Sequence, residues 1–145
     1  MTNMVLGFRF NPKKDKVVLI EKKRPIWQGG DMNGIGGHVE RTEHFPDAME
    51  REFYEETGLF VSHAKWTQFV TLTDKKLFKL HCFYSFGAID AVRSTTDEEV
   101  FKVTVSSLGF QKLVKHIDWL VPMAREKVHI TSLVVIRGNG QNARA

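Results

Sequence analysis

Residues 50 to 56 read EREFYEE, which places four glutamates in seven positions of a chain whose formal charge is +4. Glu52, Glu55 and Glu56 stand at offsets of three and four, so a helix would carry their carboxylates on one side, with Glu50 elsewhere on the wheel. Hard oxygen donors gathered in this way repel one another until a cation sits among them, and magnesium or manganese suits such a set. Arg51 lies among these acids in sequence but can project away from their face and steady an acid of the preceding loop. Glu43, eight residues upstream, is the local partner for it. The competing reading is a hydrated surface helix, because charged helix faces are common. The setting favours the metal: Gly36 and Gly37 precede the acids, and Gly58 with the apolar Leu59 closes the run.

The element that must present these acids is a helix over residues 45–57. Pro46 and Asp47 suit its first turn, Phe45, Met49 and Phe53 recur every four residues, and Gly58 can terminate it. Upstream, MVLGFRF at 4–10 and residues 17–21 read as strands joined by the turn NPKKDK. Between them and the helix, RPIWQGGDMNGIGG holds five glycines and one proline, the composition of an ordered functional loop with tight connections. It has neither the spacing of GxxxxGK[ST] nor that of GxGxxG. Downstream, FVSHAKWTQFVTL and KLFKLHCFYSFGAI read as strands and VFKVTVSSLG as a short one. A second helix is expected from about 110 to 125, with Leu113, Ile117 and Leu120 on its apolar face. A last strand then leads into a tail expected to be mobile from about 138. No repeat or long linker divides these units, so one α/β domain over 1–145 is expected, with helices layered on a mixed sheet.

Composition sets limits on function. The 21 basic and 17 acidic residues are interspersed, which helps attract a polyanion without distinguishing a nucleotide from nucleic acid. Cys82 stands alone in an alternating apolar segment, so a packed thiol is expected and a thiolate metal site is not. The N-terminus lacks the separate basic and apolar regions of a signal peptide and no apolar run is long enough to span a membrane, so a cytoplasmic protein without membrane contacts is expected.

GHVERTEHFPDAMEREFYEETGL, from Gly37 to Leu59, resembles the signature of the Nudix hydrolase family. That signature runs glycine, five residues, glutamate, seven residues, then Arg-Glu-apolar-any-Glu-Glu-any-Gly-apolar. Gly37, Glu43, Arg51, Glu52, Glu55, Glu56 and Gly58 fill every fixed position; Phe53 and Leu59 fill the apolar ones, Phe53 being bulkier than the usual aliphatic residue. The resemblance implies a Nudix-like α/β/α sandwich with a mixed curved sheet. It implies that Glu52, Glu55 and Glu56 bind Mg2+ or Mn2+, with the Gly37 carbonyl as a further ligand, and that Glu43 orients Arg51. Glu52 is also a candidate for the base that orients water. An acid after the central strands often joins the metal shell of the family, which makes Glu98 or Glu99 a candidate; a solvated turn is the equal alternative.

The chemistry implied is attack of water on a diphosphate linkage, without a covalent protein intermediate. KKRPIWQGGDMNGIGGHVE also resembles the approach to the signature in MutT-type nucleoside triphosphatases, in which the position of Asn33 contacts a nucleobase. Asn33 thus either reads a base or caps a turn, and Trp27 either stacks on a base or closes the core. Lys23 and Arg24 either attract phosphates or face solvent. Gly36, Gly37 and His38 complete the candidate substrate-binding set, with His38 either touching phosphate or packing at the surface. WLVP at 119–122 resembles the late helix of purine-triphosphate-cleaning members, but Lys115 and His116 stand where some of these place acidic residues. The expected reaction takes a nucleoside triphosphate to monophosphate and pyrophosphate, in keeping with cleaning of the nucleotide pool. Nucleotide sugars or dinucleoside polyphosphates are the alternative substrates, and a non-enzymatic nucleotide- or RNA-binding module is the alternative class. The partner is a small nucleotide, nucleic acid is not required, and monomer and homodimer both stay open.

Overall fold

The computed structural model describes residues 2–74 and 77–135. Two strands open the chain, β1 (Thr2–Phe10) and β2 (Lys16–Glu21), and two short ones follow, β3 (Met32–Asn33) and β4 (Ile35–His38). Helix α1 (Phe45–Thr57) leads to β5 (Thr67–Asp74), β6 (Phe78–Phe86) and β7 (Val100–Thr104), and then to α2 (Ile117–Arg125) and β8 (Leu133–Val135). The strands form one mixed sheet in the order β3-β2-β1-β6-β5-β8, with β4 paired to β1 and β7 to β2. β1 runs parallel to β6 and antiparallel to β4, which takes up its N-terminal half through Met4–Gly7.

The alternation of side chains along the strands builds two cores, one on each face. Val5, Val18, Ile20 and Phe83 point toward Ala48, Met49 and Phe53 of α1. Leu6, Phe8, Leu19 and Tyr84 point the other way, toward Ile117, Leu120, Val121 and Ala124 of α2. The α/β/α layering expected from the sequence is therefore the arrangement found. α1 lies close against β1 because residue 7 is glycine: a Cβ there would stand 2.6 Å from the Met49 side chain. The bulk of Phe53 is accommodated by full burial and an edge contact with the Trp66 ring, 5.1 Å between centroids.

Three elements depart from expectation. The segment read as a strand from Phe60 is extended only from Thr67, because His63–Lys65 forms a 3-10 turn capped by the Ser62 hydroxyl. The glycine-rich stretch is not loop throughout, since β3 and β4 form within it and a 3-10 turn spans Ile26–Gln28. The second helix begins at Ile117, seven residues late: Val105–Phe110 is a 3-10 turn, and the following backbone bonds to Met32 through Met32 N–H to the Lys112 carbonyl and Val114 N–H to the Met32 carbonyl. Sheet-like partners offered by β3 outcompete helix continuation there. The tail expected to be mobile from about 138 lies outside the described residues.

Cys82 is buried, and its thiol is pushed up by burial. His81 is buried as well, stacked on Phe45 at 3.7 Å between centroids and bonded to the Asn3 side chain. Burial depresses its pKa to about 4. A histidine held neutral in this way contributes stability that is fully present above its unfolded value of about 6.5 and is lost as pH falls toward 4. Thermal melting from pH 7 to pH 4 should therefore show the destabilisation caused by His81→Gln shrinking as pH falls. A constant difference across that range would contradict the assignment.

Candidate active site

α1 starts where Pro46 supplies a preset φ at the first turn, and it ends at Gly58, whose φ of 74° is the left-handed cap that glycine adopts without strain. Met49 and Phe53 anchor the helix to the sheet, which sets Glu52 against β4 at Gly37, while Glu55 on the next turn is exposed. β4 approaches closely. A Cβ on Gly36 would run into the Val5 carbonyl, and one on Gly37 would come within 2.5 Å of the Glu52 carboxyl carbon. With glycine at 37 this carboxylate can lie directly against the strand backbone; a side chain there would displace it.

Arg51 knits the region together. Its Nε and Nη2 donate to the two carboxylate oxygens of Glu43 at 2.7 and 2.9 Å, and Nη2 donates to the His38 carbonyl at 3.0 Å. Contrary to the sequence expectation Arg51 does not point wholly away from the acids, because its long planar fork can bend back along the helix: Nη1 reaches Glu52 at 2.8 Å and Glu55 at 3.2 Å. The fork holds the Glu43 carboxyl below its usual range, while the acids in turn push the guanidinium up. Glu52 and Glu56 move the opposite way: burial raises both, outweighing Arg51 at Glu52 and Lys22 at Glu56. The Oε2 atom of Glu56 is inaccessible and has no hydrogen-bond partner among the described residues. Among the described residues no group of three or more His, Cys, Asp or Glu side chains converges as a ready metal site. The guanidinium bonded to Glu52 and Glu55 supplies positive charge at that point instead.

The two candidate acids of the TTDEEV segment have separate fates. Glu98 is buried, and it accepts from Lys22 Nζ at 3.1 Å and from the backbone N–H groups of Lys23 and Arg24 at 2.7 and 3.1 Å. Burial raises its pKa, but these donors outweigh it and leave the carboxyl below its usual range. Glu99 is exposed, and its carbonyl accepts from Glu21 N–H. Asp97, not singled out from the sequence, grips Arg24 with both oxygens at 2.9 and 3.0 Å, and Arg24 draws its carboxyl down to about 2. The only signal available was charge complementarity between KKR and DEE.

Trp27 is 53% exposed in the 3-10 turn, so it does not close the core. Lys23 is exposed too. Asn33 Oδ1 accepts from Gly34 N–H at 2.8 Å, which spends that oxygen on the turn and leaves Nδ2 for another partner. Next to β3 lies an open groove of about 600 Å3, walled by Leu113, His116, Asp118 and Trp119 among others. His38 is exposed, and its carbonyl rather than its ring is engaged with Arg51.

Comparison with known proteins places this geometry in context. Residues 2–118 match the family model described as the NUDIX domain. A MutT structure from work on Aliivibrio salmonicida and Vibrio cholerae superposes with a TM-score of 0.71 at 18% identity, covering 86% of this chain and 96% of that one. The NUDIX domain of Shewanella oneidensis NrtR, a complex with ADP ribose, gives 0.73 at 18%, covering 86% of each chain. A NUDIX hydrolase from Nitrosomonas europaea gives 0.74 at 14%, covering 92% and 79%. At these identities the likeness concerns the fold. No curated protein sequence matches significantly.

An unpaired buried carboxylate oxygen disfavours the folded state at neutral pH. With its folded pKa raised, Glu56 costs stability above that value and costs none once protonated. Glu56→Gln should thus raise the melting temperature of the protein in EDTA at pH 7.5, by about 2–4 °C if about 1 kcal/mol is recovered. Scanning calorimetry showing an unchanged or lower melting temperature would count against a strained Glu56.

Proposed function

The chain belongs to the Nudix family of hydrolases, and from that premise we propose that it is a divalent-metal-dependent pyrophosphohydrolase that cleaves a nucleoside triphosphate to the monophosphate and pyrophosphate. The observation that carries this reading is the buried Glu56 oxygen without a partner, on the same helix face as the two carboxylates that share Arg51.

The donor set fits a hard divalent cation. Glu52 and Glu56 are both raised by desolvation, a cost that a metal would relieve, and the cleared space at Gly37 gives the Glu52 carboxylate access to the β4 backbone. Glu52, Glu55 and Glu56 would hold Mg2+ or Mn2+, with the Gly37 carbonyl as a further donor. When bound, the ion would neutralise phosphate oxygens and lower the pKa of the attacking water.

The chain's own residues do the rest. Arg51 fixes Glu52 through Oε2, which leaves Oε1 free to orient and accept a proton from water. Glu43 acts on Arg51 and not on substrate. Glu98 clamps the exit of β2 through Lys22 and the backbone of Lys23 and Arg24, which leaves the exposed Lys23 ammonium to meet phosphates; in this role Glu98 is a positioning residue and Glu99 has no part. The half-exposed Trp27 ring offers a face for a nucleobase, and Asn33 Nδ2 offers a donor beside the groove at β3. A single domain of this family over the chain and a small-molecule partner follow from the same reading.

The deciding experiment is a hydrolysis panel with magnesium, covering ordinary and oxidised nucleoside triphosphates, nucleotide sugars and dinucleoside polyphosphates, with products separated and identified. Monophosphate plus pyrophosphate is expected; cleavage confined to the linked diphosphates would replace the substrate class, and no cleavage at all would leave a binding module. Glu55→Gln keeps side-chain size and removes one negative ligand, so maximal turnover should fall about 100-fold across a magnesium titration. Equal maximal rates would refute the ligand role. Asn33→Ala should change the ranking of triphosphates at unchanged magnesium dependence, a result that parallel assays of all eight common ribo- and deoxyribonucleotides would show or deny.

A further inference from the structure

On the α1 side of the sheet, side chains of β1 alternate from Val5 through Gly7 to Arg9. Val5 pairs with Gly37, so Arg9 lies roughly 13 Å along the strand from the candidate active site. Its guanidinium is partly sunk into the protein: Nη1 donates to the Ser85 hydroxyl at 2.7 Å, Nη2 to the Ala88 carbonyl at 3.2 Å, and Nε is inaccessible with no partner. Gly87 packs directly against it, and a side chain there would displace the guanidinium. Among the described residues Arg9 forms no ion pair, and burial lowers its pKa with no acid to offset the effect. A half-buried arginine without a carboxylate is uncommon, because desolvated charge is costly unless something compensates it.

Beside Arg9 opens a cleft of about 370 Å3, lined also by Phe60, Ser62, Lys65 and Phe86. Its volume falls within the range of small-ligand sites. Lys65 is exposed and makes no ion pair among the described residues. Two cations and a hydroxyl around one cleft match a dianion better than a single carboxylate, which would leave one cation unmatched. The Phe60 ring stands 62% exposed at the rim, held edge-on against Tyr54, and offers a flat apolar face.

We propose that this cleft, formed by Arg9, Lys65, Ser62 and Phe60, is a second, non-catalytic site that takes a nucleoside monophosphate, with the phosphate on the cations and the base against Phe60. The site uses none of the acids of α1 and needs no divalent ion. Occupancy by a phosphate ester would give Arg9 the counter-charge that the fold withholds.

The test is a nitrogen-15 NMR titration of the full chain with adenosine monophosphate in EDTA, where a site built on the α1 acids would lack its cation. Saturable shifts are expected at the amides of Phe60 to Lys65 and of Arg9 and Ser85. Lys65→Gln and Phe60→Ala change surface side chains, leave the fold and the hydrolytic turnover intact, and should each weaken binding about five- to tenfold. Inorganic phosphate should bind about tenfold more weakly than the nucleotide. The proposal is overturned if the shifts do not saturate, if they map to residues 36–56, if either variant binds as tightly as the parent, or if phosphate and nucleotide bind equally. Because no metal is present and no turnover is read, these outcomes are independent of whether the protein cleaves a triphosphate.

Discussion

The guanidinium of Arg51 binds four parts of the chain to one another: the loop at Glu43, the end of β4 at His38, and two successive turns of α1 at Glu52 and Glu55. A planar fork with five donors can do this where a lysine, with one compact charge, could not. The interaction also keeps like charges together. Without a cation among them, carboxylates at offsets of three and four would push α1 away from β4 or splay into solvent. Arg51 fills that need within the chain itself, while Glu56 Oε2 finds no hydrogen-bond partner among the described residues.

Two carboxylates on one element and one in the loop before it are thereby driven apart in basicity. Glu43 is drawn down by a direct bidentate partner, and Glu52 and Glu56 are raised by burial. Divergent environments of this kind allow neighbouring acids to serve different purposes, one as scaffold and others as reactive or ligating groups. In the proposed reaction that division assigns Glu43 to architecture and Glu52 to proton transfer. The close approach that makes it work depends on Gly36, where a side chain would meet the β1 backbone, and on Gly37, where it would displace the Glu52 carboxylate.

The same sheet face is polarised along β1. Acids gather where β4 pairs with its N-terminal half, and an arginine without an ion pair among the described residues lies toward its C-terminal end. The opposite face has no such division, being occupied by α2 and its aromatic and aliphatic contacts.

Local sequence was enough for α1, because four-residue periodicity, a proline in the first turn and a terminal glycine all act within the segment; the helix runs from Phe45 to Thr57 as read. It was enough also for the shared face of Glu52, Glu55 and Glu56, which is a property of helical geometry alone. It was not enough for the second helix, whose early portion is claimed by backbone bonds to Met32, more than seventy residues away. Nor could it choose between Glu98 and Glu99, or between core and surface for Trp27, since those outcomes depend on which neighbours a folded chain supplies. Arg9 reads as an ordinary strand residue; its isolation exists only because β6 and the segment after α1 enclose it without an acid. Periodic and capping signals are written into adjacent residues, whereas burial and charge pairing are relations between distant ones, and those only the tertiary structure decided.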